Sequence, residues 1–88
     1  GNQYLFSQRV LRWSHYKYVF TPAAEDELYD LDADPFELHN RIDDPDLDDV
    51  ARAGRDRIAR LVKQHDDPLA SRIDWFLNAQ PISSHSPV

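Results

Sequence analysis

Residues 26–40, Asp-Glu-Leu-Tyr-Asp-Leu-Asp-Ala-Asp-Pro-Phe-Glu-Leu-His-Asn, constrain the fold more than any other stretch of the chain. Leu28, Tyr29 and Leu31 supply strand-forming side chains, whereas Pro35 has no N–H to give to a ladder, so the strand must stop before it. Asp34 and Asn40 can bond nearby backbone N–H groups, which predicts a compact corner over residues 34–40. Asp30, Asp32 and Asp34 alternate like the opening of a calcium loop, but such a loop needs glycine at its sixth place and glutamate at its twelfth. Pro35 and Arg41 stand there instead. The stretch reads as a solvated acidic turn.

Upstream, residues 3–13 are rich in aromatic and branched side chains and lack helix caps, which predicts extended structure. In residues 16–20, Tyr16, Tyr18 and Phe20 share one face at period two while Lys17 and Val19 share the other. Ser14 and His15 between them make the pair a β-hairpin, without the Asn-Gly or Asp-Gly signal that would fix its register. A loop from Thr21 to Asp26 then leads to a strand over residues 27–31, giving an antiparallel meander. Both faces of that sheet carry apolar side chains. One can lie on the chain's own helix, and the other is then expected to be covered by something outside it.

Asp43-Asp44-Pro45 opens a helix: Asp44 can cap, Pro45 suits the first helical position, and Asp46, Asp48 and Asp49 complement the positive end of the dipole. Leu47, Val50, Ala51, Ile58, Leu61 and Val62 form an amphipathic stripe, predicting a long helix over about residues 45–65. Gly54 within it costs about 1 kcal/mol relative to alanine, which suggests close packing against the sheet. Asp67-Pro68 opens a second, short helix over about residues 68–78, with Leu69, Ile73, Phe76 and Leu77 on one side and Trp75 off that stripe. The tail from Gln80 to Val88, with two prolines and three serines, reads as loose unless a partner holds it. The expected fold class is therefore α+β: a small antiparallel sheet of three to four strands packed against a long C-terminal helix, with a second short helix.

Eighty-eight residues suit one small domain with a modest core. The mean hydropathy of -0.70 is very polar for a folded unit, yet 41% hydrophobic residues argue against disorder. With no cysteine, disulfides and thiolate chemistry are excluded. No apolar run reaches the length of a membrane span. The charge is uneven: residues 25–49 hold twelve acids against Arg41 alone, within a net charge of -6. An acidic middle disfavours nucleic-acid binding, which needs a basic face for phosphates.

Candidate reactive groups are sparse. His15, His39, His65 and His85 share neither the i, i+4 nor the short-loop spacing of a zinc site and read as separate surface residues. Ser14, His15 and a nearby Asp are the ingredients of a triad, but geometry rather than composition defines one. Trp13, Tyr16, Tyr18 and Phe20 could stack ligands, though at strand spacing such residues belong more often to core and interface.

In order along the chain, Arg12, Tyr16-Lys17-Tyr18-Val19-Phe20, Glu27-Leu28-Tyr29-Asp30-Leu31, Asp34-Pro35, Glu37, Asn40, Asp44-Pro45 and Asp67-Pro68-Leu69 resemble the C-terminal end of the sulfatase family. The resemblance covers about residues 9–69 and makes residues 1–69 a sulfatase-like C-terminal subdomain, with residues 70–88 a short helix and loose tail. It implies a sheet and helix leaning on a large alkaline-phosphatase-like domain that hydrolyses sulfuric esters. The Cys- or Ser-x-Pro-x-Arg motif that yields formylglycine, and the carboxylates that hold a calcium-like divalent cation, would lie in that catalytic domain. This chain contains neither, so no catalytic, cofactor-binding or metal-binding residue is carried over and no cofactor is assigned to it.

What the resemblance does imply is structural. Ser14 and His15 become candidates for the edge of the substrate cleft, and Arg12, Trp13, Tyr16, Lys17 and Tyr18 candidates for contact with the N-terminal catalytic domain of the same protein. The tail over residues 70–88 is a candidate homo-oligomer contact; neither nucleic acid nor membrane is expected as a partner. Two alternatives stay open at this point: a stand-alone interaction module using an exposed aromatic face, and the same subdomain from a phosphonate or phosphate ester hydrolase.

Overall fold

The computed structural model describes residues 8–80 and Ile82. Three strands, β1 (Arg9–Trp13), β2 (Tyr16–Phe20) and β3 (Glu27–Asp30), form an antiparallel sheet in the order β1-β2-β3. The expected extension of β1 back to residue 3 falls partly outside the described residues. The α+β architecture is as expected, with three strands among the described residues, a long helix and a short one.

The register follows the period-two pattern. Leu11 faces Tyr18, Trp13 faces Tyr16, and Tyr18 in turn faces Leu28. On the opposite face Arg12 pairs with Lys17, which pairs with Tyr29. Ser14 and His15 form a two-residue turn in which only Ser14 has positive φ, 53°. Positive φ at the first turn residue is the pattern of type II′ turns, where glycine is normally favoured, so the turn closes without the usual sequence signal.

A 3-10 turn, Pro45–Leu47, runs directly into α1 (Asp48–Gln64). Asp44 Oδ1 accepts the Asp46 N–H at 2.8 Å, as its capping position predicts. The buried stripe of α1 is Ala51, Gly54, Arg55, Ile58, Ala59 and Val62. Leu61 was expected in that stripe but is 41% exposed, because the helix turns its 51-55-58-62 line to the sheet and leaves Leu61 on the flank. Gly54 is where α1 comes closest: a methyl group there would lie 2.7 Å from Cη2 of Trp13 and 2.9 Å from Cδ2 of Tyr18. Only a residue without Cβ lets both rings pack under the helix.

Asp67 caps a second 3-10 turn, Pro68–Ser71, through the Leu69 N–H at 2.9 Å, and α2 (Ile73–Ala79) follows. Leu69, Ile73 and Phe76 are buried in the same core as Tyr18, Phe20, Leu28 and Ile58. The boundary expected at residue 69 thus does not divide the core; α2 completes it. Asp67 also ties this segment to the sheet by a two-pronged pair with Arg9, at 2.6 and 2.5 Å. That guanidinium holds the Asp67 carboxyl below its ordinary range.

Candidate docking face and hairpin tip

The two faces of the sheet hold different chemistry. The helix-facing side is aromatic and closed: Tyr18 and Phe20 are fully buried, and Trp13 and Tyr16 pack at the core margin with centroids 5.7 Å apart. The other side presents Val10, Arg12, Lys17, Val19, Tyr29 and Glu27. Val10 is 53% exposed and Arg12 is exposed, while Val19 is buried between its neighbours. The five candidate contact residues therefore separate. Arg12 and Lys17 lie on the outward face, whereas Trp13, Tyr16 and Tyr18 point to the chain's own helix. Tyr18, wholly enclosed, is a core residue and has no surface to offer another domain.

The acidic segment after β3 lies along this outward face. Asp30 Oδ1 accepts the N–H groups of Asp32 and Ala33, and Asp34 accepts those of Leu38 and His39, both at 2.9 Å. These backbone donors hold the Asp34 carboxyl below its ordinary range. Of the aspartates that alternate like metal ligands, Asp30 and Asp34 are thus turn formers, and no group of potential metal ligands occurs among the described residues. Glu37, bent into positive φ at 57°, reaches Lys17 Nζ with Oε1 at 2.8 Å. This ion pair brings the turn carrying Phe36 (82% exposed) and Leu38 (71% exposed) beside the sheet. Tyr29 donates its hydroxyl to Glu27 Oε1 at 2.5 Å, and that bond, with some burial, raises the phenol to about 12.

Asn40 closes the segment. Its Oδ1 accepts from Leu28 N at 2.9 Å and Ile42 N at 3.0 Å, its Nδ2 donates to the Asp26 carbonyl, and the Arg41 N–H donates to the Leu28 carbonyl. The free edge of β3 is covered in this way, which removes one site for unwanted strand pairing.

Ser14 and His15 sit together at the hairpin tip. Ser14 Oγ lies 3.1 Å from His15 Nδ1, the His15 ring stacks on Tyr16 at 4.0 Å between centroids, and His15 Nε2 is 4.0 Å from Asp30 Oδ1. The order Ser–His–Asp is there, but Asp30 is beyond hydrogen-bond reach of the ring and its Oδ1 already accepts two backbone donors. Ser14 is exposed.

Sequence patterns missed a buried polar cluster on the opposite side of the sheet. Asp26 (4% exposed) accepts the Tyr18 hydroxyl at 2.5 Å, and Arg55 (9% exposed) brings Nε within 3.5 Å of the same carboxylate oxygen. Arg55 also donates to the carbonyls of Leu77 and Gln80. Burial raises both the Asp26 carboxyl and the Tyr18 phenol above their ordinary values. The Gln80 side chain donates to Thr21 O and Ala24 O and accepts from Ala23 N, so residue 80, expected to start a loose tail, is firmly held. The available signal was Arg55 itself: a cation at i+4 from Ala51 and i−3 from Ile58 must find an acid inside.

No family model matches the chain. It is similar to an uncharacterized protein of Haemophilus influenzae, with 33% identity over 69 residues covering 78% of this chain. The chain spans about a third of that relative, 36% of its length.

Proposed function

We propose that this chain is the C-terminal subdomain of a sulfatase-like hydrolase. It is non-catalytic by itself and packs on the catalytic domain of the same protein through the outward sheet face, with the Ser14-His15 tip bordering the substrate cleft. The observation that carries this reading is the outward face itself: Val10 and Arg12 exposed on the sheet, with the turn bearing Phe36 and Leu38 clamped beside it by Lys17 and Glu37. Large apolar side chains held at such exposure by defined hydrogen bonds suit an interface better than a solvent surface. The residues behind the family resemblance also shape this fold: Asp34, Glu37, Asn40, Asp44 and Asp67 each make a bond that turns or caps the chain. Their work here is to turn and cap the chain, which suits a subdomain whose role is to dock and shape. The parent enzyme is read as a sulfuric ester hydrolase, with a phosphonate or phosphate ester hydrolase of the related superfamily as the alternative.

The test compares the purified chain with the longer reading frame that encodes it. The reading expects no aryl sulfate turnover by the chain alone. It also expects a Cys- or Ser-x-Pro-x-Arg motif upstream, and loss of activity in the longer protein when Phe36 and Leu38 are both changed to serine. Turnover by the chain alone, or an upstream frame without a hydrolase motif, overturns it.

A further inference from the structure

The two edges of the sheet are treated differently. Beyond β3, Asn40 and Arg41 take up the backbone groups of Leu28. Beyond β1 the described residues place nothing comparable. The two-residue turn pairs Trp13 with Tyr16, and hydrogen-bonded and non-bonded pairs alternate from there, so the N–H and C=O of Val10 and Arg12 point away from β2. Among the described residues none of these four groups has a partner.

Along that edge a groove of about 180 Å³ runs between β1 and the flank of α1. Leu11, Ile58, Leu61 and Val62 line it, and the exposed Val10 stands at its lip. Leu61, turned away from the buried stripe of α1, is accounted for by this groove and not by the core. An extended segment would satisfy both features at once, with backbone bonds along the edge and every second side chain in the groove.

Charge selects the kind of segment. One end of the groove is closed by Arg9 and Asp67, which neutralise each other. Toward the other end, where Gly54 lies on Trp13, Arg12 projects from the sheet and Arg57 stands one helical turn before Leu61. Both are exposed, and neither has an ion pair or hydrogen bond among the described residues. The other cations of β1, β2 and α1, namely Arg9, Lys17, Arg52, Arg55, Arg60 and Lys63, each have a carboxylate. Two cations without an acid, in a chain of sixteen acids and ten bases, therefore lie beside the one unpaired edge and call for carboxylates on the ligand. A second copy of β1 fits poorly, since antiparallel pairing about Leu11 sets Arg12 diagonally across from the same cation.

We infer that the edge of β1 receives an extended segment of a separate partner polypeptide as an added antiparallel strand, with an apolar side chain opposite Leu11 in the groove and acidic side chains beside Arg12 and Arg57. The inference stands apart from the docking proposed for the sheet face, because it uses the backbone at the edge and the helix flank and needs neither Phe36 nor Leu38.

The experiment titrates the whole chain, labelled with nitrogen-15, with acetyl-Glu-Glu-Leu-Val-Thr-amide up to about 10 mM, the range in which a short strand contact becomes measurable. The expected result is saturable shifts of the Val10 and Arg12 amides with slowed hydrogen exchange at both, and weaker binding as salt is raised. N-methylation of the peptide at its second glutamate and its valine, whose N–H groups face the edge, should abolish binding; N-methylation at the leucine, whose N–H faces away, should not. Arg12→Gln with Arg57→Gln should weaken binding several-fold and remove its salt dependence. Arg12→Glu with Arg57→Glu should transfer the preference to acetyl-Lys-Lys-Leu-Val-Thr-amide, which also shows that the variant is folded. Undiminished binding by the doubly N-methylated peptide or by the glutamine variant, shifts mapping elsewhere, or no shift at all would each overturn the inference. Concentration-dependent shifts of the Val10 and Arg12 amides without peptide would overturn it as well, by giving the edge to a second copy.

Discussion

The two sides of the sheet are built from the same three strands but are completed in opposite ways. On the helix side, Trp13 and Tyr18 press under Gly54, and Tyr18, Asp26, Arg55 and Gln80 form a buried polar cluster in which Arg55 Nε stands 3.5 Å from Asp26 as an ion pair without a hydrogen bond. On the outward side polar groups are paired through Lys17–Glu37 and Tyr29–Glu27, yet Val10, Phe36 and Leu38 stay in solvent. One side is finished within this chain and the other is shaped without being covered. Stability should therefore reside on the first side and recognition on the second, and substitutions on each can separate the two.

The largest effect is expected from Asp26→Ala. It leaves Arg55 buried without its carboxylate and strips the Tyr18 hydroxyl of its acceptor, which should cost about 3–5 kcal/mol. Much of the stability of a domain this small would be lost, and a urea melt would show it directly. A cost under about 1 kcal/mol would mean that the closed side does not depend on the cluster. The same cluster sets an alkaline limit. Tyr18 holds its proton above the ordinary phenol range in the folded chain, whereas the unfolded chain releases it near pH 10, so stability falls as pH rises past that point. Tyr29, raised to about 12, adds to the same slope. Tyr18→Phe should flatten most of this limb and Tyr18→Phe with Tyr29→Phe nearly all of it; an unchanged limb would reject the assignment. Toward acid, Asp67 is held low by Arg9, so its stabilisation is present above the usual carboxylate pKa and disappears as pH falls through its depressed value. Asp26, raised by burial, has the opposite sign: it favours the folded chain as pH falls into the window between its unfolded and folded pKa values.

Gly54→Ala is the next test. The added methyl gains about 1 kcal/mol of helix propensity. Against that, contacts at 2.7 and 2.9 Å force two rings to shift, and overpacking of this kind costs about 1–3 kcal/mol. A net loss of about 1 kcal/mol, with altered Trp13 fluorescence, is expected. A net gain would show that Trp13 moves freely and that the helix side is looser than the packing implies.

Asn40→Ala probes the border between the two sides. It removes acceptors from Leu28 N and Ile42 N, and should cost about 1–2 kcal/mol. Faster hydrogen exchange at the Leu28 amide should accompany it; an unprotected Leu28 amide in the parent chain would already contradict the edge cover.

How much of this was legible in the sequence follows the same division. Period-two alternation and the Asp-Pro caps placed β2, β3, α1 and α2 because local backbone chemistry decides those features, and Gly54 marked the close approach because a helix tolerates glycine only for a reason. The acidic corner was legible too, since Asp34 and Asn40 act on neighbours within a few residues. Arg55 with Asp26, and Gln80 with Thr21 and Ala24, were not, because those partners are 29 and more than 50 positions apart and no local rule joins them. Tyr18 was a related case: alternation grouped it with Tyr16 and Phe20, but that this face is the enclosed one, and not a contact for another domain, depended on α1, Asp26 and Arg55 meeting over it. Distant pairing, rather than propensity, separates the readable part from the rest.

The smallest effect on stability, and the largest expected on recognition, belongs to Phe36→Ser with Leu38→Ser. Both side chains are mostly in solvent, so the double variant of the isolated chain should melt within about 0.5 kcal/mol of the parent. Binding of a hydrophobic dye should fall, because the exposed apolar surface is reduced. Under the proposal that this face docks on a catalytic domain, the same change in the longer protein should loosen that contact, seen as faster proteolysis in the segment that joins them. If instead the isolated chain loses 2 kcal/mol or more, roughly the burial energy of one large side chain, then Phe36 and Leu38 pack in solution. The outward side would then be finished like the helix side, and the contrast between the two faces would fail.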